Sequence, residues 1–283
     1  KMLAEESSCT IITTFDGLMN PMPMPEKFIQ EVKKVSVGDI LNLEELTKHL
    51  VELGYEKNYQ AETMGEFSVR GGILDIFPLT EDNPFRIEFW GDEVDSIRSF
   101  DAESQRSIEN LEEISIYPAC ELVLTAEERQ EGIKRILKEA DKVSAKLRKE
   151  MKTEEAHRTK SAAAQIAEEA GELGISAGLD AYLSYFCEER VSLLDYFNRE
   201  NTVIFVDELA RSIERGMVTE TEFSESMKQR LEKGYILPGQ MRELFSCKEI
   251  LAKMEKMACI SLVALDLKNS HVDIKEKFVI DSK

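Results

Sequence analysis

The sequence contains no GxxxxGK[ST] phosphate loop anywhere in its 283 residues. Such a loop brings backbone N–H groups and a lysine to the phosphates of a nucleotide, so its absence excludes ATP binding in the P-loop manner. Apolar runs are also short, because none reaches the roughly 18 residues that span a bilayer. The first residues show no basic-then-apolar signal pattern. We therefore expect no membrane association and a cytoplasmic protein.

Residues that form disulfides or bind metals are scarce. The five cysteines are scattered without a CxxC pair, and their odd number argues against a disulfide framework and for a reducing compartment. The three histidines stand far apart, with no acidic or cysteine partner at ligand spacing. The sequence thus predicts no zinc site, no histidine-based nucleophile and no cofactor.

Basic residues are outnumbered by acidic ones. The 36 Lys and Arg residues against 55 Asp and Glu residues give a formal net charge of -19. A chain this acidic repels a phosphate backbone unless a local basic patch overrides it, so nucleic acid is a poor default partner. The length exceeds the usual size of one domain, and we expect two or more folded units.

Residues 1–34 have the character of a strand followed by a linker. Residues 9–14, CTIITT, are apolar and β-branched, which predicts a buried strand, although no neighbouring segment offers it a partner. We expect this strand to complete a sheet whose other strands come from elsewhere. Residues 19–25, MNPMPMP, hold three prolines, which exclude helix and central strand and favour an extended linker.

Residues 35–121 predict a small α+β domain. Asn42 and Glu45 have capping-box spacing, and leucines then recur at helical intervals until Gly54 ends the helix. Strands are predicted around Phe67, Ile73 and Ile87 and at residues 94–100 and 114–117, with a bend at the glycine pair 71–72 and a turn at residues 80–84. The helix should cover one face of the sheet that these strands form.

Side-chain alternation gives the predicted sheet one apolar and one polar face. Arg86 and Glu88 fall on one side of their strand, and Ser68 shares a side with Arg70. This polar face is either a protein-binding surface, because the planar arginine fork pairs well with carboxylates, or a solvated face on which Arg86 and Glu88 form an ion pair. Trp90 falls on the same side and is either an anchor for a partner or a side chain folded under the next turn.

Residues 122–283 begin with a long helix. Thr125 and Glu128 form a second capping box, and an apolar stripe at helical spacing follows as far as Leu147. The charged face of this helix is a solvated surface or, as an alternative, one side of a short coiled coil. Helical character resumes at residues 161–172, and Gly171, Gly174 and Gly178 mark a loop.

A buried strand is predicted at residues 203–206, where the sequence is VIFV, and it ends in the acidic pair Asp207 and Glu208. Helicases and P-loop NTPases place the acidic residues that hold Mg²⁺ at such a strand end. The same residues also occur as simple polar caps. The missing phosphate loop favours the second interpretation.

Several of these stretches together resemble one known family. GEFSVRGGILDIF at residues 65–77 and FRIEFWGDEVDSIRSF at residues 85–100 are similar to the recognition domain shared by UvrB and the transcription-repair coupling factor Mfd. CTIITTFDGLMNPMPMPEKF, SLLDYF, VIFVDE and GYILPGQM resemble the RecA-like parts of the same family. The acidic pair continues here as Leu209 and Ala210, and residues 260–266 read ISLVALD, so the residues that couple ATP hydrolysis in UvrB are missing and the chain looks like Mfd.

The resemblance implies a mixed α/β and α+β architecture. Residues 1–34 are the tail of the first RecA-like half and a linker, residues 35–121 are an inserted UvrA-recognition domain, and residues 122–283 are the second half of the degenerate RecA-like domain. The RecA-like domain is then partial, because most of its first half is not in this chain.

The resemblance also implies a function and a surface. The chain is expected to be a non-catalytic adaptor that recruits UvrA for nucleotide excision repair at stalled RNA polymerase; the alternative is a fragment of a UvrB-like repair helicase. Other domains of the parent protein are expected to mask the UvrA surface. The implied contact residues are Lys57, Arg70, Arg86 and Glu88, with Ser68 where UvrB has an arginine and with Trp90 as a further candidate.

Overall fold

The computed structural model describes residues 8–172, 179–187 and 189–263. The helices are α1 (Phe15–Met19), α2 (Pro25–Gln30), α3 (Leu43–Glu52), α4 (Ala126–Lys149), α5 (Thr153–Glu172), α6 (Leu183–Phe186), α7 (Leu209–Glu232) and α8 (Cys247–Met254). The strands are β1 (Lys33–Ser36), β2 (Glu56–Lys57), β3 (Glu66–Arg70), β4 (Ile73–Ile76), β5 (Phe85–Trp90), β6 (Glu93–Phe100), β7 (Ser107–Leu111), β8 (Glu113–Ile116), β9 (Val203–Asp207) and β10 (Ala258–Leu262). The mixed α/β character predicted from the sequence is confirmed.

The main sheet has the strand order β2-β3-β4-β5-β6-β7. Strand β2 runs parallel to β3, and the other neighbours are antiparallel. The prediction that residues 114–117 join this sheet is wrong, because β8 pairs with β1 in a separate two-stranded sheet. The edge of the main sheet next to β6 is formed by β7. This strand is polar and largely exposed, and it lacks the apolar alternation by which the other strands were predicted.

Helix α3 covers the apolar face of this sheet, as predicted. The Asn42 side chain accepts hydrogen bonds from the backbone N–H groups of Glu44 and Glu45 and caps the helix. Leu46 and Leu50 are buried in the same cluster as Phe67 and other strand residues. The chain leaves the helix at Gly54, where φ is +91° and an added Cβ atom would lie 2.7 Å from that of Cys120.

Helices α4 and α5 pack against each other as a hairpin. The capping box of Thr125 and Glu128 is present at the start of α4, as the sequence predicts. The Ser144 hydroxyl, buried between the helices, donates to the carbonyl of Ala156 at 3.0 Å. The apolar stripe of α4 therefore faces the chain itself, with α5 and α6 as its neighbours.

A third cluster of buried apolar side chains, separate from those under α3 and between α4 and α5, contains residues from both ends of the described chain. It contains side chains of α1, α7 and α8, with Phe15, Ile213 and Ile250 among its buried members. Strands β9 and β10 pair in parallel, and Ile204 and Val206 lie against this cluster. The opposite side of the pair carries Phe205, which is 65% exposed.

The buried strand predicted at residues 9–14 is wrong. These residues form no strand, and Ile12 is almost fully exposed. The apolar pattern is real, but the described residues contain no strand that pairs with it, and a strand is stabilised only by neighbours. The prediction of an extended linker at residues 19–25 is confirmed only between Met19, which ends α1, and Pro25, which begins α2; within this stretch Met22 makes an isolated bridge to Val191.

Two predicted features fall partly outside the described residues. These are the loop at Gly174 and Gly178 and the end of the ISLVALD segment beyond residue 263. Within the described ranges, no helix is long and apolar enough to cross a membrane.

Candidate protein-binding face

Strand register places the predicted polar residues of the main sheet in two adjacent rows. One row runs across four strands through Ser68, Asp75, Arg86 and Arg98. The second row runs through Arg70, Ile73, Glu88 and Ser96. We call these eight residues the polar face. The predicted alternation of Ser68 with Arg70 and of Arg86 with Glu88 is therefore confirmed, and the register brings all four side chains together.

Asp75 lies at the centre of the polar face and was not predicted to belong to it. Its side chain is only 2% exposed. Its Oδ1 accepts from Arg86 Nε at 2.6 Å, and its Oδ2 accepts from Arg86 Nη2 and Arg70 Nη2, both at 2.8 Å. A buried carboxylate needs such compensation, because an unpaired charge in a protein interior is strongly unfavourable. The two predicted arginines are thus joined through one acidic side chain.

Arg86 is held from several sides. Besides Asp75, its Nη2 donates to the Gln105 side chain at 3.0 Å, and its guanidinium lies 4.4 Å from the ring centre of Phe100. The hydrogen bond to Asp75 raises the pKa of Arg86 above its ordinary value, despite partial burial. With a side chain 14% exposed against 39% for Arg70, Arg86 is the more enclosed of the two.

Glu88 pairs with a residue other than the one expected. Its carboxylate forms a salt bridge with Arg98 and accepts from the Ser96 hydroxyl at 3.1 Å. The interpretation in which Arg86 and Glu88 form a surface ion pair with each other is therefore wrong in its partners. The cause is strand register: Asp75 stands directly opposite Arg86, and Ser96 stands opposite Glu88.

Ser68 and Lys57 differ from the central residues. Ser68 is buried beside Asp75, and among the described residues its hydroxyl has no hydrogen-bond partner. Lys57 is exposed at the edge of the sheet on the short β2, and the register aligns it with Phe67 of the apolar face. The structure therefore brings Ser68 into the polar face but leaves Lys57 outside it, because alignment with Phe67 places Lys57 on the side of the apolar face.

Trp90 lies at the end of β5, next to the turn into β6. Its side chain is 80% exposed, so it is not folded under the turn. A large exposed indole is uncommon on a solvated surface and is frequent at protein interfaces. Its role as an anchor stays a prediction.

Asp75, Arg98 and Gln105 are the members of this region that sequence reasoning missed. The signal for Asp75 was a single carboxylate within the otherwise apolar strand ILDI. A charged residue in such a strand is rarely left unpaired, and the arginines on the flanking strands were the available partners. Arg98 and Gln105 gave no comparable signal.

The acidic pair lies where the sequence places it, at the carboxyl end of β9. Asp207 is exposed, and Glu208 adopts left-handed backbone angles (φ 50°) at the start of α7. The backbone N–H of Glu208 donates to the carbonyl of Leu262 on β10 at 2.8 Å. In the described part of the chain, no group of three or more His, Cys, Asp or Glu side chains could hold a metal ion.

Comparisons with known proteins show what the part of the chain that carries this face is similar to. Residues 34–122 match the model of the UvrB interaction domain. The chain is 36% identical over 246 residues to the transcription-repair-coupling factor of Bacillus subtilis, which covers 87% of the chain and 20% of that protein. It is 35% identical over 210 residues to UvrABC system protein B of Fervidobacterium nodosum, covering 72% of the chain and 32% of that protein.

A further relative is UvrABC system protein B of Thermotoga neapolitana, which is 30% identical over 252 residues, or 87% of the chain and 38% of that protein. The chain thus spans only 20% to 38% of the length of these three relatives. The similarities confirm the resemblance to the UvrB-homology module of transcription-repair coupling factors.

Proposed function

We propose that this chain, whose residues 34–122 match the UvrB interaction domain, is the adaptor module through which a transcription-repair coupling factor recruits UvrA for nucleotide excision repair. The chain itself performs no catalysis in this proposal. The observation that carries it is the polar face, where two arginines share one buried carboxylate inside the matched domain.

The polar face has the chemistry of a binding surface for an acidic partner. Arginine binds carboxylates with two parallel hydrogen bonds, and it is enriched among the residues that dominate interface energies. Arg70 is 39% exposed and retains donors for a partner. The exposed Trp90 supplies an apolar contact on the same strand as Arg86. Together they combine charge with an aromatic anchor.

We further propose that β9 and β10 belong to a degenerate RecA-like sheet. Parallel sheets are normally covered on both faces. Here one side of the pair packs on the third cluster, while Val203, Phe205 and Ile260 are exposed on the other side. An apolar parallel pair with an open face is expected of a sheet that other strands and helices complete.

We also propose that this chain neither binds nor hydrolyses ATP. Asp207 and Glu208 stand at the strand end, but no phosphate loop accompanies them in the sequence. The following residues, Leu209 and Ala210, provide no hydroxyl or imidazole group. A UvrB-like helicase activity is therefore the less supported alternative.

The proposal is tested by measuring UvrA binding with the immobilised chain. We expect saturable binding, and Arg70→Ala should weaken it at least tenfold, because truncating an arginine that is desolvated at an interface costs about 2 kcal/mol or more. The matched control is Arg106→Ala, which removes an exposed arginine of the same domain and should change the affinity less than about twofold. Equal binding by the parent chain and Arg70→Ala would refute the assignment of this face.

A further inference from the structure

The two arginines of the polar face are not equivalent. A guanidinium has five N–H donors. Arg86 directs three hydrogen bonds to protein acceptors, two to Asp75 and one to Gln105. Arg70 directs one to Asp75 and, within the described residues, makes no other hydrogen bond. Arg86 therefore uses most of its N–H donors within the fold, whereas most donors of Arg70 make no hydrogen bond within the described residues.

Asp75 is the link between them. It sits on β4, the strand between the two that carry the arginines, and both of its oxygens face guanidinium groups. Because Arg86 occupies Oδ1 through Nε and shares Oδ2 with Arg70, the carboxylate fixes where the Arg70 head group lies. Without this bond Arg70 would be a long side chain on an open sheet face.

We infer that Asp75 is a positioning residue, which holds the Arg70 guanidinium in place so that its remaining donors meet a carboxylate of the partner. The inference rests on the proposed UvrA-binding function. An arginine that is already ordered loses less conformational freedom on binding, and this increases affinity. Arg86 then supports binding mainly through Asp75 and only secondarily as a contact. The partner surface opposite Arg70 is acidic.

Charge repulsion by Asp75 has the opposite effect on affinity, so the direction of the change on substitution distinguishes repulsion from positioning. The Asp75 carboxylate is negative and stands close to the site of an acidic partner, so it also weakens the attraction. If this repulsion dominated, replacing Asp75 with a neutral residue would strengthen binding. If positioning dominates, the same replacement weakens binding.

The decisive variant is Asp75→Asn, compared with Asp82→Asn, which makes the same chemical change at an exposed turn position. Affinity for UvrA is measured well below the unfolding temperature of each variant, after circular dichroism has confirmed folding. We expect Asp75→Asn to weaken binding about threefold to tenfold, the range for ordering one long side chain. Asp82→Asn should leave the affinity unchanged.

If Asp75 acts through Arg70, the effects of Asp75→Asn and Arg70→Ala on UvrA affinity should not add. In an Arg70→Ala background, Asp75→Asn should weaken binding less than about twofold further, because the side chain that it positions is gone. A merely structural role for Asp75 would lower the unfolding temperature without changing the affinity of the folded protein. Unchanged or tighter binding by Asp75→Asn overturns the inference while leaving the proposed function intact.

A second measurement does not depend on UvrA or on a variant. In the parent chain, the ¹⁵N heteronuclear NOE of the Arg70 Nε–H group should be close to that of Arg86 and clearly above that of the exposed Arg106. If Arg70 is as mobile as Arg106, the positioning role is refuted. If UvrA fails to bind the parent chain, the proposed function fails, and the NOE still decides whether the Arg70 side chain is ordered in the free protein.

Discussion

Removing Arg86 leaves the Asp75 carboxylate with a single ion-pair partner. Asp75 is 2% exposed, and two of the three hydrogen bonds to its oxygens come from Arg86. Breaking a buried ion pair from one side costs about 3–5 kcal/mol. Since Arg70 still donates one bond, we expect the lower end for Arg86→Ala, about 3 kcal/mol of unfolding free energy.

Arg70→Ala is a much milder change. The Arg70 side chain is 39% exposed, and its removal leaves both Arg86 bonds to Asp75 in place. We expect a loss of about 1 kcal/mol or less, as for partly exposed ion pairs. Arg106→Ala, at an exposed position, should be neutral within about 0.5 kcal/mol. The structure thus predicts a ranking in which Arg86→Ala is far the most destabilising of three arginine truncations.

The assay is urea unfolding followed by far-ultraviolet circular dichroism, with thermal unfolding as a second readout. For a domain of this size, a 3 kcal/mol loss lowers the Tm by more than about 10 °C. An Arg86→Ala variant as stable as Arg106→Ala would refute the account of Asp75 as a compensated buried charge. The consequence for binding studies is direct: weak UvrA binding by Arg86→Ala reports stability as well as contact, whereas Arg70→Ala reports contact.

Three further outcomes are expected. The open apolar side of β9 and β10 should cause the chain to self-associate in sedimentation velocity, and Phe205→Ser should reduce this association; a monomeric parent chain, or unchanged association of the variant, would contradict that view of the sheet. Burial alone would raise the pKa of Glu128, but hydrogen bonds from Lys27 and Thr125 outweigh it and lower the pKa. Glu128→Gln should therefore cost about 0.5 kcal/mol of stability at pH 7, and the difference should shrink as the pH falls through the lowered pKa of the folded parent, below which its carboxyl group is protonated in both states; a difference independent of pH would argue against this interaction. Calorimetry should show no saturable ATP binding, and saturable binding that Asp207→Ala abolishes would contradict the non-catalytic assignment.

The local elements could be predicted from the sequence because their signals are local. Helix α3 follows from the Asn42 cap and the leucine spacing, and the strands β3 to β6 follow from alternation interrupted at the glycine pair 71–72 and at turns. The partners of these elements could not be predicted in the same way. β8 has the alternation of a sheet strand, but its choice of β1 depends on the path of the whole chain.

The segment at residues 9–14 shows the limit of an apolar pattern. Its β-branched residues favour a strand, yet the described residues offer no strand to pair with, and the segment stays irregular and exposed. Intrinsic preference selects a structure only where neighbours complete it.

The candidate site was predicted in part. Alternation placed Arg70 and Arg86 on one face, since the pleat has a period of two. It could not show that Asp75 joins them, because the cross-strand register of β3, β4 and β5 depends on the lengths of the turns between them. The charge pattern suggested a pair between Arg86 and Glu88, whereas the register separated them into two networks.

The central claim is that the polar face is a UvrA-binding surface equivalent to that of UvrB. It is tested most directly by competition, in which preformed UvrA–UvrB complex is titrated with the chain while fluorescently labelled UvrB is followed by anisotropy. The account predicts that the parent chain displaces UvrB and that Arg70→Ala does so at least tenfold less well, with Arg106→Ala as effective as the parent. Formation of a ternary complex, or equal displacement by Arg70→Ala, would contradict it.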